Sequence, residues 1–276
     1  MRIYPFGLSF SGSYGKFPFF FDGYEVEGIS CLISSRSAGN MVHSEEGRAR
    51  KDFYEGLGLD LARVYGLTQV HSRDVLVLDR YSPQDRPRGD GLVSRDREIW
   101  LSVIVADCLP VYLFDTESGA FGILHSGWKG TGIVLTALDL MKDRWNTRAE
   151  AVAVILGPGI GSCCYRVDEG RARAFEEEFG GSGGAYPLGP VVIRRRKGGS
   201  GPEEPFLDLR AANARLLAGA GVRNLAICRD CTFTDERLGS SRREGEDYTR
   251  MAALIGFVTP EFAHGSVQRV LNPRHE

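Results

Sequence analysis

Three residues carry most of the chemical information in this chain. They are His71 in TQVHS, Cys108 in VADCLP and His125 in GILHSGWKGTG, each standing where an apolar run meets a turn bearing Gly, Asp, Ser or Trp. Two neutral imidazoles and one thiolate, delivered from three separate elements, form a three-ligand transition-metal site with one position left open. A histidine at a strand end is more often a hydrogen-bonded structural residue, and the three share no local motif. Scarcity argues the other way, because the 276 residues include only five histidines. In a strand, Asp107 and Cys108 point to opposite faces, so the acid can hold a turn while the sulfur faces the site.

Other spacings are less decisive. GWKGTG follows His125 and opens a helical pattern, so its free N–H groups, the positive end of the helix dipole and Lys129 favour an anion such as phosphate. Glycines needed for tight strand-to-helix packing explain it equally well, and the GxxxxGK[ST] pattern of a nucleotide loop is absent. Cys228 and Cys231 form a C-x-x-C without a second pair at zinc-ribbon spacing, and Cys163 and Cys164 are adjacent, so these read as core or near-site thiols. Gly157-Pro158-Gly159-Ile160-Gly161 is a strand-exit loop that lets backbone approach a ligand, or an ordinary turn.

These residues must be positioned by alternating strands and helices. VEGISCLIS, VYGLTQV, DVLVLD, EIWLSVIVAD, VYLFD, FGILH and AVAVILG read as strands. Val134, Leu138, Met141 and Trp145 form one apolar stripe after Thr131, which is placed to cap a helix. A second helix follows Asp208, with Leu209, Ala212, Leu216 and Ala220 on one side, and a third spans EGRARAFEEEF. The Gly- and Pro-rich interval from Gly180 to Pro205 holds the basic run Arg194 to Lys197. With no aromatic residue interleaved among the charges, it reads as a solvated hairpin or loop inside one domain rather than a nucleic-acid patch.

A net charge of −2 gives no electrostatic footprint for nucleic acid or an anionic membrane, so a small-molecule partner is expected. The N-terminal stretch lacks the basic start and apolar run of a secretory signal, and no run of about 18 apolar residues occurs, so a soluble cytoplasmic protein is expected. There the six cysteines stay reduced, leaving Cys108 free as ligand or nucleophile.

Taken in order, QVHS, ADCLPV, HSGWKGT, GPGIGSCCYRVD and DCTFTDERLGSSRREG resemble the YfiH-like laccase-domain family, the purine nucleoside phosphorylase group once called polyphenol oxidases. The resemblance runs from Ser35 and Arg36 to Arg243 and the following AALIGF. It implies a mixed α/β (α+β) fold across residues 1–276 as a single domain, with a central β-sandwich between helical layers (α/β/β/α). It also implies one catalytic zinc held by His71, Cys108 and His125. The implied activities are phosphorolysis of adenosine, inosine and methylthioadenosine, and deamination of adenosine. By motif, Asp90, Lys129 and Arg36 are the catalytic candidates, while Asn40, Arg242 and Arg243 are the substrate-binding ones. The chain departs from the family pattern in three places. Lys129 replaces an arginine and cannot offer its bidentate fork. Arg166 replaces a glutamate, and an aromatic stretch has become Leu238-Gly239-Ser240-Ser241.

In the implied chemistry, zinc holds water or a substrate oxygen, Asp90 shuttles protons for deamination, and Lys129, Arg36, Arg242 and Arg243 align phosphate. Two histidines and a cysteine also suit Cu2+, which would make a phenol oxidase, although five histidines cannot furnish the several copper centres of a laccase. A third alternative needs no metal: Cys108 as nucleophile, with His71 or His125 as base, in a cysteine hydrolase.

Overall fold

The Leu109–Asp115 strand shows how the architecture arises. Leu109, Val111 and Leu113 join one apolar cluster, while Tyr112 and Phe114 join another, the two-residue alternation of a strand buried on both faces. The computed structural model describes residues 1–43, 48–78, 85–180, 189–196 and 201–257.

Leu109–Asp115 is the central strand of a seven-stranded sheet. The order is Arg2–Phe6, Asn224–Cys228, Val152–Leu156, Leu109–Asp115, Phe121–Ser126, Gly91–Ser94 and Val75–Val77. A six-stranded sheet faces it, ordered Ser9–Ser11, Tyr14–Phe17, Ile29–Ser34, Met251–Phe257, Trp100–Val105 and Val64–Tyr65. Phe17, Leu101, Val103 and Ile255 of this second sheet pack with Tyr112, Ile123 and Ile155 of the first, which makes the central core. Tyr112 is fully buried there, and its hydroxyl donates across the sandwich to the Leu32 carbonyl at 2.9 Å.

The outward faces are equally apolar. Helices Ile133–Trp145, Glu169–Phe179 and Leu209–Gly219 cover the seven-stranded sheet through Val134, Met141, Phe175 and Leu217. On the other side, Phe53 and Tyr54 of helix Arg48–Gly56 pack with Leu32, Trp100 and Leu254. The layers therefore run α/β/β/α, as the resemblance implies. Among the described residues, no helix is long and apolar enough to cross a membrane.

Two sequence expectations are corrected. Thr131 does not cap its helix: its Oγ1 donates back to the Gly127 carbonyl at 2.9 Å, and Gly132, at φ 103°, occupies the cap position without a side-chain bond. VYGLTQV is strand only at Val64–Tyr65. Beyond Gly66 the Gln69 amide takes over the strand's role, donating to Ile104 O at 2.8 Å and accepting from Ile104 N at 2.7 Å. The basic run lies partly on a hairpin, Val192–Arg196 against Glu203–Leu207. Its charges are used within the molecule, Arg194 pairing with Glu169 and Glu176, and Arg196 with Glu203. Lys197 lies outside the described residues. The short N-terminal strands and helix Arg48–Gly56 had no counterpart in the sequence reading.

Candidate metal centre

Asp90 immediately precedes the Gly91–Ser94 strand, is fully buried, and organises two of the three proposed ligands. Its carboxylate accepts from the backbone N–H groups of Val70 (3.1 Å), His71 (3.0 Å) and Ser72 (2.7 Å), and from Ser72 Oγ (2.9 Å). These bonds hold the turn in which His71 adopts φ 58°, a left-handed conformation that is unusual for a residue with a Cβ. The fifth bond, at 2.8 Å, joins Asp90 Oδ1 to His125 Nδ1. Burial alone would push the Asp90 carboxyl up, but the bonds from His125 and Ser72 outweigh it and hold the group below the usual carboxylate range. With Asp90 ionised Nδ1 keeps its proton, so Nε2 is the nitrogen of His125 that would give up its proton to take a metal.

Cys108 lies between the Trp100–Val105 and Leu109–Asp115 strands, in a turn fixed by Asp107 at φ 82°. Asp107 accepts from Thr232 Oγ1 at 2.6 Å and from Arg242 N at 2.7 Å, so the acid anchors the turn and leaves the neighbouring sulfur free. Burial pushes the Cys108 thiol up, but the charge and hydrogen bond of His125, followed by those of His71, bring it down to about 6. His125 responds in the opposite sense: burial lowers it, and the Cys108 charge and the Asp90 bond raise it to about 9. A thiolate beside an imidazolium is the state these neighbours favour before any metal binds. Gly127 makes room for the sulfur, since a Cβ there would lie 2.6 Å from Cys108 Sγ.

The ligand atoms of His71, Cys108 and His125 all lie within 4.8 Å of one another, and the two imidazole rings are 4.8 Å apart, edge to face. That spacing, with one nitrogen of His125 already fixed by a carboxylate, fits a single first-row ion with an open coordination position. His71 is exposed and His125 buried, so the open side faces a cleft of about 460 Å³.

The cleft is lined by the three ligands together with His43, Leu67, Arg86, Val105, Tyr248 and Arg250 among others, and no described Asp or Glu lines it. Of the six other site residues inferred from sequence, none lines it either. Asp90 lies behind the imidazoles. Asn40 Oδ1 accepts from Val42 N and Arg250 N, both at 3.3 Å, and so ties together two residues of the cleft wall. Lys129 is exposed, with its ammonium 5.6 Å from the Trp128 ring centroid. Arg36 lies with Glu236, Arg243 and Glu244 around a separate depression, 3.7 Å from Glu244. Arg242 donates to the Arg166 carbonyl at 2.9 Å. Arg243 donates to the carbonyls of Thr232, Phe233, Asp235 and Leu238, which clasps that loop. Arg166 pairs with Glu204, and Leu238 and Ser240 are fully buried. Sequence reasoning missed His43, Arg86, Tyr248 and Arg250, for which no local pattern was available.

The family described as "Multi-copper polyphenol oxidoreductase laccase" matches residues 42–258. The chain belongs to this family. Purine nucleoside phosphorylase YlmD of Geobacillus stearothermophilus is 30% identical over 223 residues, 75% of this chain and 77% of YlmD. The crystal structure of YlmD superimposes with a TM-score of 0.71 at 27% identity, covering 84% of this chain and 92% of that one. Purine nucleoside phosphorylase LACC1 of Mus musculus is 27% identical over 213 residues, 73% of this chain. This chain spans only 44% of that mouse protein's length. Adenosine deaminase RL5, from an unknown prokaryotic organism, is 30% identical over 201 residues, 66% of this chain and 73% of RL5. This laccase-domain chain therefore has relatives named for two purine nucleoside activities, and its enzyme family agrees with the one implied by its motifs.

Proposed function

We propose that this chain is a zinc-dependent, cytoplasmic purine nucleoside phosphorylase, acting as one catalytic domain on adenosine, inosine or methylthioadenosine, with adenosine deamination as a lesser activity. The observation that carries the proposal is the juxtaposition of a two-imidazole, one-thiolate donor set with a cleft that Arg86 and Arg250 line and no described carboxylate does. Such a wall favours a phosphate dianion, whose approach to a sugar carbon requires positive groups to align it.

When bound, the ion supplies Lewis acidity toward an oxygen of substrate or water. The chain's own residues do the rest. Arg86 and Arg250 hold phosphate, and Leu67, Val105 and Tyr248 offer an apolar wall to the purine. A phosphate oxygen forms the bond to C1′ as the bond from C1′ to the purine nitrogen breaks. The electron pair leaves with the base, which takes its proton from solvent. Asp90 acts on His125: by holding Nδ1–H it keeps the ring oriented and Nε2 available. Deamination needs an acid that exchanges protons with the purine, and Asp90, with five donors already bonded, is committed elsewhere. Phosphorolysis is therefore the main activity.

The deciding assay incubates the chain with adenosine or inosine, with and without phosphate, and separates ribose 1-phosphate, free base and deaminated nucleoside. Base release that requires phosphate, disappears on chelation and returns with Zn2+ but not Cu2+ is the expected result. Phenol oxidation with Cu2+ and no nucleoside turnover would replace the proposal with the oxidase reading. The thiolate–imidazolium pair of Cys108 and His125 favours one second reading, a metal-free cysteine hydrolase. Activity that survives complete chelation would establish that reading instead.

A further inference from the structure

A second cluster of ligating atoms lies away from the cleft and is built entirely of sulfur. Cys163 and Cys164 follow the Gly157–Gly161 loop, and Cys231 follows the Asn224–Cys228 strand. The two segments are laced together by a bridge between Gly159 and Cys231 and by the bond from Thr232 N to Gly159 O at 3.2 Å. All three sulfurs lie within 4.8 Å of one another, and all three cysteines are free. Cys231 is buried, Cys164 half-buried and Cys163 exposed, so the cluster is supported from within and open to solvent on one side.

Two features favour sulfur ligation here over incidental packing. Gly161 donates its N–H to Cys231 Sγ at 3.1 Å, a charge-assisted bond once the thiol has ionised. Gly161 also has no Cβ, and one placed there would lie 3.1 Å from Cys163 Sγ and 3.5 Å from Cys231 Sγ. The backbone thus keeps clear the space the three sulfurs share.

We propose that Cys163, Cys164 and Cys231 form a second metal site that binds a thiophilic closed-shell cation, Zn2+ or Cu+, through three sulfurs. Zinc–sulfur bonds of about 2.3 Å place sulfurs about 3.8 Å apart in a tetrahedral set, within reach of this cluster by small side-chain rotations. A trigonal set of three thiolates suits Cu+, and three thiolates plus water suit Zn2+. Three sulfur–metal bonds form, each thiol gives up its proton to solvent, and no electron is transferred. Thr232, the next residue after Cys231, bonds to Asp107 beside Cys108, so a bound ion would also brace the turn of the first centre.

The test is metal content per chain after equilibrium dialysis of the full-length protein against Zn2+ alone and, anaerobically, against Cu+ alone. The expected result is close to two ions per chain in at least one arm. The Cys163→Ser/Cys164→Ser variant should fall to one, and His71→Ala/His125→Ala should retain the sulfur-held ion. Co2+ substitution gives a second readout, because loss of three thiolates removes most of the sulfur-to-metal charge-transfer absorption while loss of one removes little. Cys231 is buried, so its substitution also tests folding. The paired variant at the more accessible cysteines is therefore the primary one, checked by an unchanged circular dichroism spectrum. One ion per chain in both arms, kept by the paired cysteine variant and lost by His71→Ala/His125→Ala, would overturn the proposal. So would two ions that persist in the paired variant, or a disulfide within the cluster in place of a second ion after anaerobic, reduced preparation. These outcomes do not depend on nucleoside turnover, so the phosphorylase reading and the second site fail separately.

Discussion

Asp90 gathers donors, Arg243 gathers acceptors, and the two are connected through the Asp107–Cys108 turn. The carboxylate collects three backbone N–H groups, one hydroxyl and an imidazole that faces the metal centre. The guanidinium collects four backbone carbonyls and the Glu244 carboxylate, and the Thr232 it holds is the residue that bonds to Asp107. Both residues stand in family motifs as candidates for direct chemistry, and neither lines the cleft. Asp90 reaches the reaction through a ligand, whereas Arg243 fixes a loop. A charged residue in a motif can therefore serve the chemistry at one remove or at two, and only its hydrogen-bond partners tell which.

Removing Asp90 is expected to have the largest effect. Asp90→Ala leaves three backbone N–H groups and a buried imidazole without their acceptor, which costs about 3–5 kcal/mol by analogy with other broken buried pairs. Losing the partner of His125 Nδ1 should also weaken zinc binding about 10–100-fold. Denaturant unfolding of the metal-free protein and zinc competition with a chelator measure the two effects. Zinc affinity within about twofold of the parent would show that Asp90 does not set the His125 ring.

The acid side of the second hub is accessible through pH. Burial would raise Glu244, but N–H groups of Thr249 and Ser240 outweigh it and lower the carboxyl to about 2 from 4.5. A depressed carboxylate stabilises the fold above its unfolded value and loses that contribution as pH falls through the folded one. The window is therefore from about 4.5 down to about 2, with an upper bound of roughly 3 kcal/mol. The stability difference between the parent and Glu244→Gln should shrink toward zero across that window. A difference that stays constant from neutral pH to pH 2 would mean the carboxylate's charge is not what holds the loop.

Arg243→Lys sharpens the contrast further. It keeps the charge but loses the planar fork that reaches several carbonyls, so a loss of about 1–3 kcal/mol is expected, with zinc affinity changed less than about twofold. If zinc affinity fell as far as in Asp90→Ala, the two hubs would not be separable.

Much of this was legible in the chain, for identifiable reasons. The ligand triad could be found because histidine is scarce and two of the five stand in turns that follow apolar runs. Leu109–Asp115 could be read because apolar residues fill both of its faces. The four-layer order came from resemblance, since alternation sets which face is buried but not which sheet lies opposite. The C-x-x-C of Cys228 and Cys231 marks no joint site, in line with its reading as core thiols: the Cys228 thiol turns to Asp230 at 3.4 Å while Cys231 meets Cys163 and Cys164. Arg86 and Arg250 lie far apart in sequence yet line the same cleft, and nothing local distinguishes them from solvated arginines. The strands Arg2–Phe6, Ser9–Ser11 and Tyr14–Phe17 were missed because each is only three to five residues long, with Pro5 inside the first and Gly15 inside the third.

Lys129 supplies the smallest expected effect and the cleanest separation of motif from geometry. Its ammonium rests near the Trp128 ring rather than at the cleft wall, and Arg171 lies over the same ring at 4.4 Å, so the indole keeps a cation if the lysine is lost. Lys129→Ala should therefore change stability by no more than about 0.5 kcal/mol and leave the KM for phosphate within about twofold. Arg86→Ala removes a guanidinium that does line the cleft, and its KM for phosphate should rise about tenfold or more, the loss of one charge-assisted contact. The reverse pattern, with phosphate affinity lost in Lys129→Ala and kept in Arg86→Ala, would move the anion to the start of the Ile133–Trp145 helix. It would also show that the glycine-rich turn after His125, and not the arginine-lined wall, receives the phosphate.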